Sequence, residues 1–153
     1  MGFFDKLKNM VTGGGAKVEV EAVKPSLHSP FPVKIKVVVE EADLEIAGAY
    51  LKVAGVEKVE LKNFKVSSGD GEQPAQHRDI NETAFTYEAR IEAAGAQKLV
   101  ARGGYEWEVT VELPADSQPA YAGVNASHSW KILGGLDVTG NDPDSGWITI
   151  APQ

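Results

Sequence analysis

Apolar and polar positions alternate along most of this chain with a period of two, the signature of strands with one face in a core and the other in water. Val18 and Val20 alternate with Glu19 and Glu21, and Val33, Ile35, Val37 and Val39 alternate with Lys34, Lys36, Val38 and Glu40. The clearest run is YEWEVTVELP, in which Tyr105, Trp107, Val109, Val111 and Leu113 alternate with Glu106, Glu108, Thr110 and Glu112 until Pro114 closes it. Further strands are expected at 46–54, 57–66 and 83–93, the last with Phe85, Tyr87, Ala89 and Ile91 on one face. A long strand over 124–138 is expected to bulge or bend at Gly134 and Gly135, and GWITIAP supplies a final strand. The proline-rich KPSLHSPFP cannot donate to a ladder and reads as a loop. The polar, turn-rich stretch 67–82 reads as the longest loop.

The first dozen residues follow a helical rule instead. At about 100° per residue, Phe3, Phe4, Leu7, Met10 and Val11 fall within an arc of about 120°, with Asp5, Lys6, Lys8, Asn9 and Thr12 opposite. Residues 1–12 are therefore expected to form an amphipathic helix, residues 13–16 a glycine joint and residues 17–153 a single domain. Eight or nine strands, with no helical pattern between them to carry parallel crossovers, predict an all-β, two-sheet, mainly antiparallel β-sandwich of immunoglobulin-like architecture.

Composition removes several function classes. Acidic residues outnumber basic ones 22 to 15, and the net charge of −7 opposes the phosphate neutralisation on which nucleic-acid affinity rests. The absence of cysteine excludes disulfides, thiolate metal sites and cysteine nucleophiles, and makes the cytoplasm the expected compartment. Asp5, Lys6 and Lys8 interrupt the apolar run a signal peptide requires, and no window approaches the roughly 20 apolar residues of a membrane span.

Candidate chemistry is sparse. His28, His77 and His128 stand in three separate contexts, and no serine lies in a Gly-x-Ser-x-Gly elbow. His77 and Arg78, with Asp79, make a dense polar trio that reads as a solvated loop. His128 shares strand parity with Trp130 and Ile132 and reads as a satisfied, partly buried histidine. Asp142 and Asp144 open like a calcium loop, but its twelfth position is Gln153 where a bidentate glutamate is needed, so the segment reads as a turn. The acidic run Glu40, Glu41, Asp43, Glu45 reads as a solvated edge. Trp107 and Trp130 lie on apolar strand faces, whereas Trp147 is free to contribute to a ligand loop with His77, Arg78 and Tyr121.

The segment GGYEWEVTVELPADSQPAYAGVNASHSWKILGGLDV, a strand ending in Leu-Pro, then Pro-Ala-Tyr-Ala-Gly, then a strand centred on Trp130, resembles arrestin-like domains. With the opening Phe-Phe and lysines, it is similar above all to the N-terminal domain of bacterial sporulation-control proteins. The resemblance covers nearly the whole chain and implies an arrestin-like sandwich with a scaffolding role. The expected function is a non-enzymatic adaptor that binds a protein partner or itself through Phe3, Phe4, Leu7, Met10 and Val11, the alternative for this stripe being to pack on its own sandwich. Lys6 and Lys8 allow weak peripheral membrane contact by the same helix. The alternative is a module binding carbohydrate or another small molecule, and a hydrolase using His77 or His128 comes third. No cofactor or metal is implied.

Overall fold

The structure, a computed structural model, describes residues 14–66, 71, 74 and 76–153. The expected helix over 1–12, with Phe3, Phe4, Leu7, Met10 and Val11, lies outside the described residues. Those residues contain ten strands, numbered in chain order, and no helix. β1 (Ala16–Ala22), β2 (Phe31–Val39) and β7 (Gly104–Val111) form an antiparallel three-stranded sheet in the order β1-β2-β7. The second sheet has the order β10-β9-β4-β5, built from β4 (Gly48–Val66), β5 (Gln76–Ala94), β9 (Ala126–Asp137) and β10 (Ile148–Ile150), with β8 (Tyr121–Ala122) also against β9. β3 (Leu44–Ile46) and β6 (Gln97–Leu99) make a small antiparallel pair.

Alternation in the sequence becomes alternation in burial. Along β2, Phe31, Val33, Ile35, Val37 and Val39 are all buried while the intervening residues are not. Each such side chain contributes a gross ~1.5–3 kcal/mol on leaving water. They meet Leu51, Val53, Trp130, Ile132 and Leu136 of the second sheet in one continuous core. β1 starts one residue earlier than its periodicity indicated, because Ala16 pairs with Val39 and is itself fully buried.

Three local expectations are corrected. Gly134 and Gly135 cause no bulge, since β9 stays in register with β4 from Gly48↔Asp137 to Val59↔Ala126. They are glycines because a Cβ at Gly134 would overlap the Val20 side chain of the facing sheet, and one at Gly135 would overlap the Tyr50 ring. The runs expected at 46–54 and 57–66 form one strand, β4, with Gly55 admitting the Trp130 ring rather than breaking the strand. The expected loop over 67–82 ends early, because β5 begins at Gln76 and pairs with β4 as far as Val66.

The fourth correction is Phe85, which does not share a face with Tyr87. Gly55 pairs with Tyr87 but Val56 pairs with Phe85, so Thr86 is an extra residue on β5 and the strand changes phase there. Tyr87 and Ile91 pack against the core, whereas Phe85 is exposed.

β9 accompanies β4 only as far as Val59. Beyond that point β4 and β5 continue alone as a two-stranded ribbon, through Leu61↔Ile80, Phe64↔Arg78 and Val66↔Gln76. A second register shift, between Leu61 and Phe64, brings Phe64 and Val66 onto the face that carries Val59, Leu61 and Ile80. The β4 half of that face is apolar and only half covered, with Arg78 and Glu82 beside Ile80 on the β5 half, while Lys58, Glu60, Asn81 and Thr83 lie exposed on the other.

Candidate functional site

The four candidate ligand-loop residues lie in different places. His77 and Arg78 are exposed on the ribbon, opposite Lys65 and Phe64. Tyr121 lies in β8 opposite His128, and Trp147 immediately precedes β10, whose Ile148 pairs with Ile132. His128 and Ile132 are separated by about 13 Å of strand at ~3.3 Å per residue. Strand parity also places Trp147 on the opposite face from Ile148 and hence from the core side, where Tyr121 meets His128. Tyr121 and Trp147 are half exposed but share no single platform.

His128 is the buried histidine among the described residues. Its side chain is buried, packed edge-on to Trp130 at 5.4 Å and stacked with Tyr121 at 6.4 Å between ring centroids. Its Nδ1 lies 3.2 Å from the Pro119 carbonyl, which can only accept, so Nδ1 carries the proton. Nε2 therefore accepts from the Thr86 hydroxyl, 2.7 Å away. The extra residue in β5 makes this bond, by turning Thr86 toward the inner face. Trp130 Nε1 donates to the Gln118 carbonyl at 2.8 Å, so the loop 114–120 is held by two ring nitrogens. Beside them lies a cavity of about 160 Å³, bounded in part by Thr86, Tyr87, Ser117 and Trp130.

Hydroxyl, imidazole and carbonyl in line have the connectivity of a nucleophile, a base and its orienting group. The Ser117 hydroxyl, buried without a hydrogen-bond partner, lines the same cavity. The carbonyls of Gln118 and Pro119 point into the cluster as acceptors already engaged by Trp130 and His128. The arrangement fixes a loop against the sheet.

Asp43, Asp142 and Asp144 also have structural partners. Asp142 accepts the Tyr50 hydroxyl at 2.8 Å and the Val138 N–H at 3.0 Å, and Asp144 accepts the Gly146 N–H at 2.8 Å. The aspartates of the calcium-like segment thus hold their own turn against β4. The Arg90 guanidinium lies 4.1 Å from the centre of the Tyr50 ring and pairs with Glu92 and Asp137. Burial, then the Asp142 carboxylate, pushes the Tyr50 hydroxyl well above the ordinary phenol range. In the acidic run, Asp43 accepts the Ala101 N–H at 2.8 Å and pairs with Lys98, and these contacts hold its carboxyl below its usual value. An open groove of about 530 Å³ passes Gly15, Lys17, Glu40, Glu41 and Arg102, beside the point where the N-terminal segment joins β1.

A comparison of structures relates this architecture to a known protein. Its fold is that of Spo0M, sporulation control protein, from Bacillus subtilis. The two superpose with a TM-score of 0.60 at 15% sequence identity, over 92% of this chain and 50% of that one. The chain thus spans about half the length of Spo0M, and the likeness is one of fold. No family model matches the sequence, and no curated protein matches it. The arrestin-like sandwich expected from the Leu-Pro and Pro-Ala-Tyr-Ala-Gly segment agrees with the Spo0M likeness and with the all-β architecture.

Two features escaped the sequence reading. The ribbon was hidden because its β5 half is polar and follows a glycine-rich stretch, although Ile80 opposite Leu61 was a signal for it. Thr86 gave no signal, because its role depends on a register shift that pairing alone creates.

Proposed function

We propose that the chain is a non-enzymatic, regulatory adaptor that works in the cytoplasm and binds a protein partner through the apolar stripe Phe3, Phe4, Leu7, Met10 and Val11. The observation that carries this reading is the distribution of chemistry over the molecule. The one buried histidine among the described residues is committed to Thr86 and Pro119, whereas half-covered apolar surface collects on a ribbon beyond the paired sheet. Such surface suits recognition rather than catalysis. The fold of a sporulation control protein supports a regulatory role. Gly14 and Gly15, just before β1, both stand at positive φ, a conformation that glycine adopts without strain.

The double variant Phe4→Asp, Leu7→Asp of the full chain tests the proposal. Proteins cross-linked to the wild type in its host cells should be lost from the variant, while the thermal midpoint of the sandwich stays within about 1 °C, as for an exposed-site change. A fall of several degrees in the midpoint would mean that the stripe packs on its own domain, and the docking reading would fail.

A further inference from the structure

β5 forms an edge of its sheet, and in the ribbon it is regular from Gln76 to Phe85. Its sequence there, Arg78-Asp79-Ile80-Asn81-Glu82, sets opposite charges, Arg78 and Glu82, at equal distances on either side of Ile80. An antiparallel pair related by a two-fold axis through Ile80 places residue 78 opposite residue 82 of the other copy. Both Arg78 side chains then meet a Glu82, Ile80 meets Ile80, and Asp79 meets Asn81. Arg78, Ile80 and Glu82 lie on one face by strand parity, the face that carries Leu61, Phe64 and Val66.

Neighbouring registers lack this match. A two-fold at Asp79 opposes two aspartates, one at Glu82 opposes two glutamates, and one at Asn81 sets Ile80 against Glu82. The other ribbon edge is unsuited to pairing. Asn63 stands at φ 55°, the register shift lies beside it, and Lys62 and Lys65 are exposed there, features that blunt an edge.

We propose that two copies of this chain associate by antiparallel pairing of β5 across the ribbon, with the two-fold axis at Ile80 and reciprocal Arg78–Glu82 ion pairs. The two ribbons become one four-stranded sheet. On one face Ile80 of both copies lies at the centre between the two Arg78–Glu82 pairs, flanked by Leu61, Phe64 and Val66 of each copy, of which Phe64 is 47% and Val66 39% exposed in the single chain. Arg78 exchanges its bond to Gln76 of its own strand for the partner carboxylate. The dimer is independent of the N-terminal stripe and leaves that stripe available in each copy.

The test is the solution mass of the full chain by sedimentation equilibrium across a concentration series at low salt. The wild type should be a dimer. Arg78→Glu and Glu82→Arg should each raise the dimer dissociation constant about tenfold or more, since each creates two like-charge contacts in place of two attractive ones. The double reversal Arg78→Glu, Glu82→Arg should restore the dimer, and the two single variants mixed in equal amounts should form a heterodimer. Circular dichroism of each variant checks that these exposed substitutions leave the fold intact. A monomeric wild type, single reversals that dimerise like the wild type, or a double reversal that does not recover would each overturn the proposal. The Phe4→Asp, Leu7→Asp variant should remain a dimer. If it is monomeric while the reversals stay paired, the N-terminal stripe joins the copies and the ribbon does not, which leaves the adaptor reading standing.

Discussion

At the scale of single residues, function and stability separate at Thr86 and His128. The imidazole is buried with both nitrogens engaged, and Nδ1 must keep its proton for the Pro119 carbonyl. Thr86 is therefore the donor that satisfies Nε2, and Thr86→Val leaves a buried acceptor without a partner. The expected loss is about 1–3 kcal/mol in urea unfolding, and Thr86→Ser, which keeps the hydroxyl, should recover most of it. Equal stability of the valine and serine variants would show that the bond contributes nothing. His128 was legible as a satisfied core histidine, because its parity with Trp130 and Ile132 is written in the sequence. Its partner was not, because Thr86 follows Phe85 in an unbroken alternation and only pairing with β4 reveals the extra residue.

At the scale of elements, the β4–β5 hairpin carries two regimes in one pair of strands. From Ala49 to Val59, β4 lies between β5 and β9, and its core-facing residues are buried as far as Gly55. Beyond Val59 it has β5 alone, and no large side chain there is fully covered. Local opening follows the density of buried apolar contacts, so the hairpin should open from its tip. Amide exchange of residues 60–66 and 76–82 is expected to be orders of magnitude faster than that of residues 49–54 and 130–136 in dilute protein. In concentrated protein, β5 from Gln76 to Ala84 should gain protection as the copies pair. Uniform protection along the hairpin at low concentration would contradict the two-regime description.

At the scale of the whole molecule, long-range polar ties close the sandwich. The Tyr50 hydroxyl joins β4 to Asp142 across 92 residues of sequence, and the Tyr50 ring lies on Gly135 and beneath Arg90. The phenol is raised above its unfolded value near 10, so its contribution is complete below that pH and is lost as pH climbs toward the folded value. Tyr50→Phe should cost about 1–3 kcal/mol at neutral pH through the lost bond to a carboxylate. The gap between wild type and variant should then narrow above about pH 10, because only the wild type must ionise this phenol on unfolding. Parallel stability curves from pH 7 to 11 would show that Tyr50 does not couple folding to alkaline pH.

The sequence by itself determined the all-β class, the alternation of β1, β2 and β7, the burial of Trp130 and the turn at Asp142. Each follows from strand period or turn chemistry, which are local and survive without knowledge of neighbours. Tertiary structure alone decided the phase change at Thr86, the straight course of β9 through Gly134 and Gly135, and the length of the ribbon. These depend on which strand lies opposite and how closely the facing sheet approaches. A glycine that accommodates Val20 or Tyr50 looks the same in sequence as one that bends a strand, and only the side chain facing it distinguishes them.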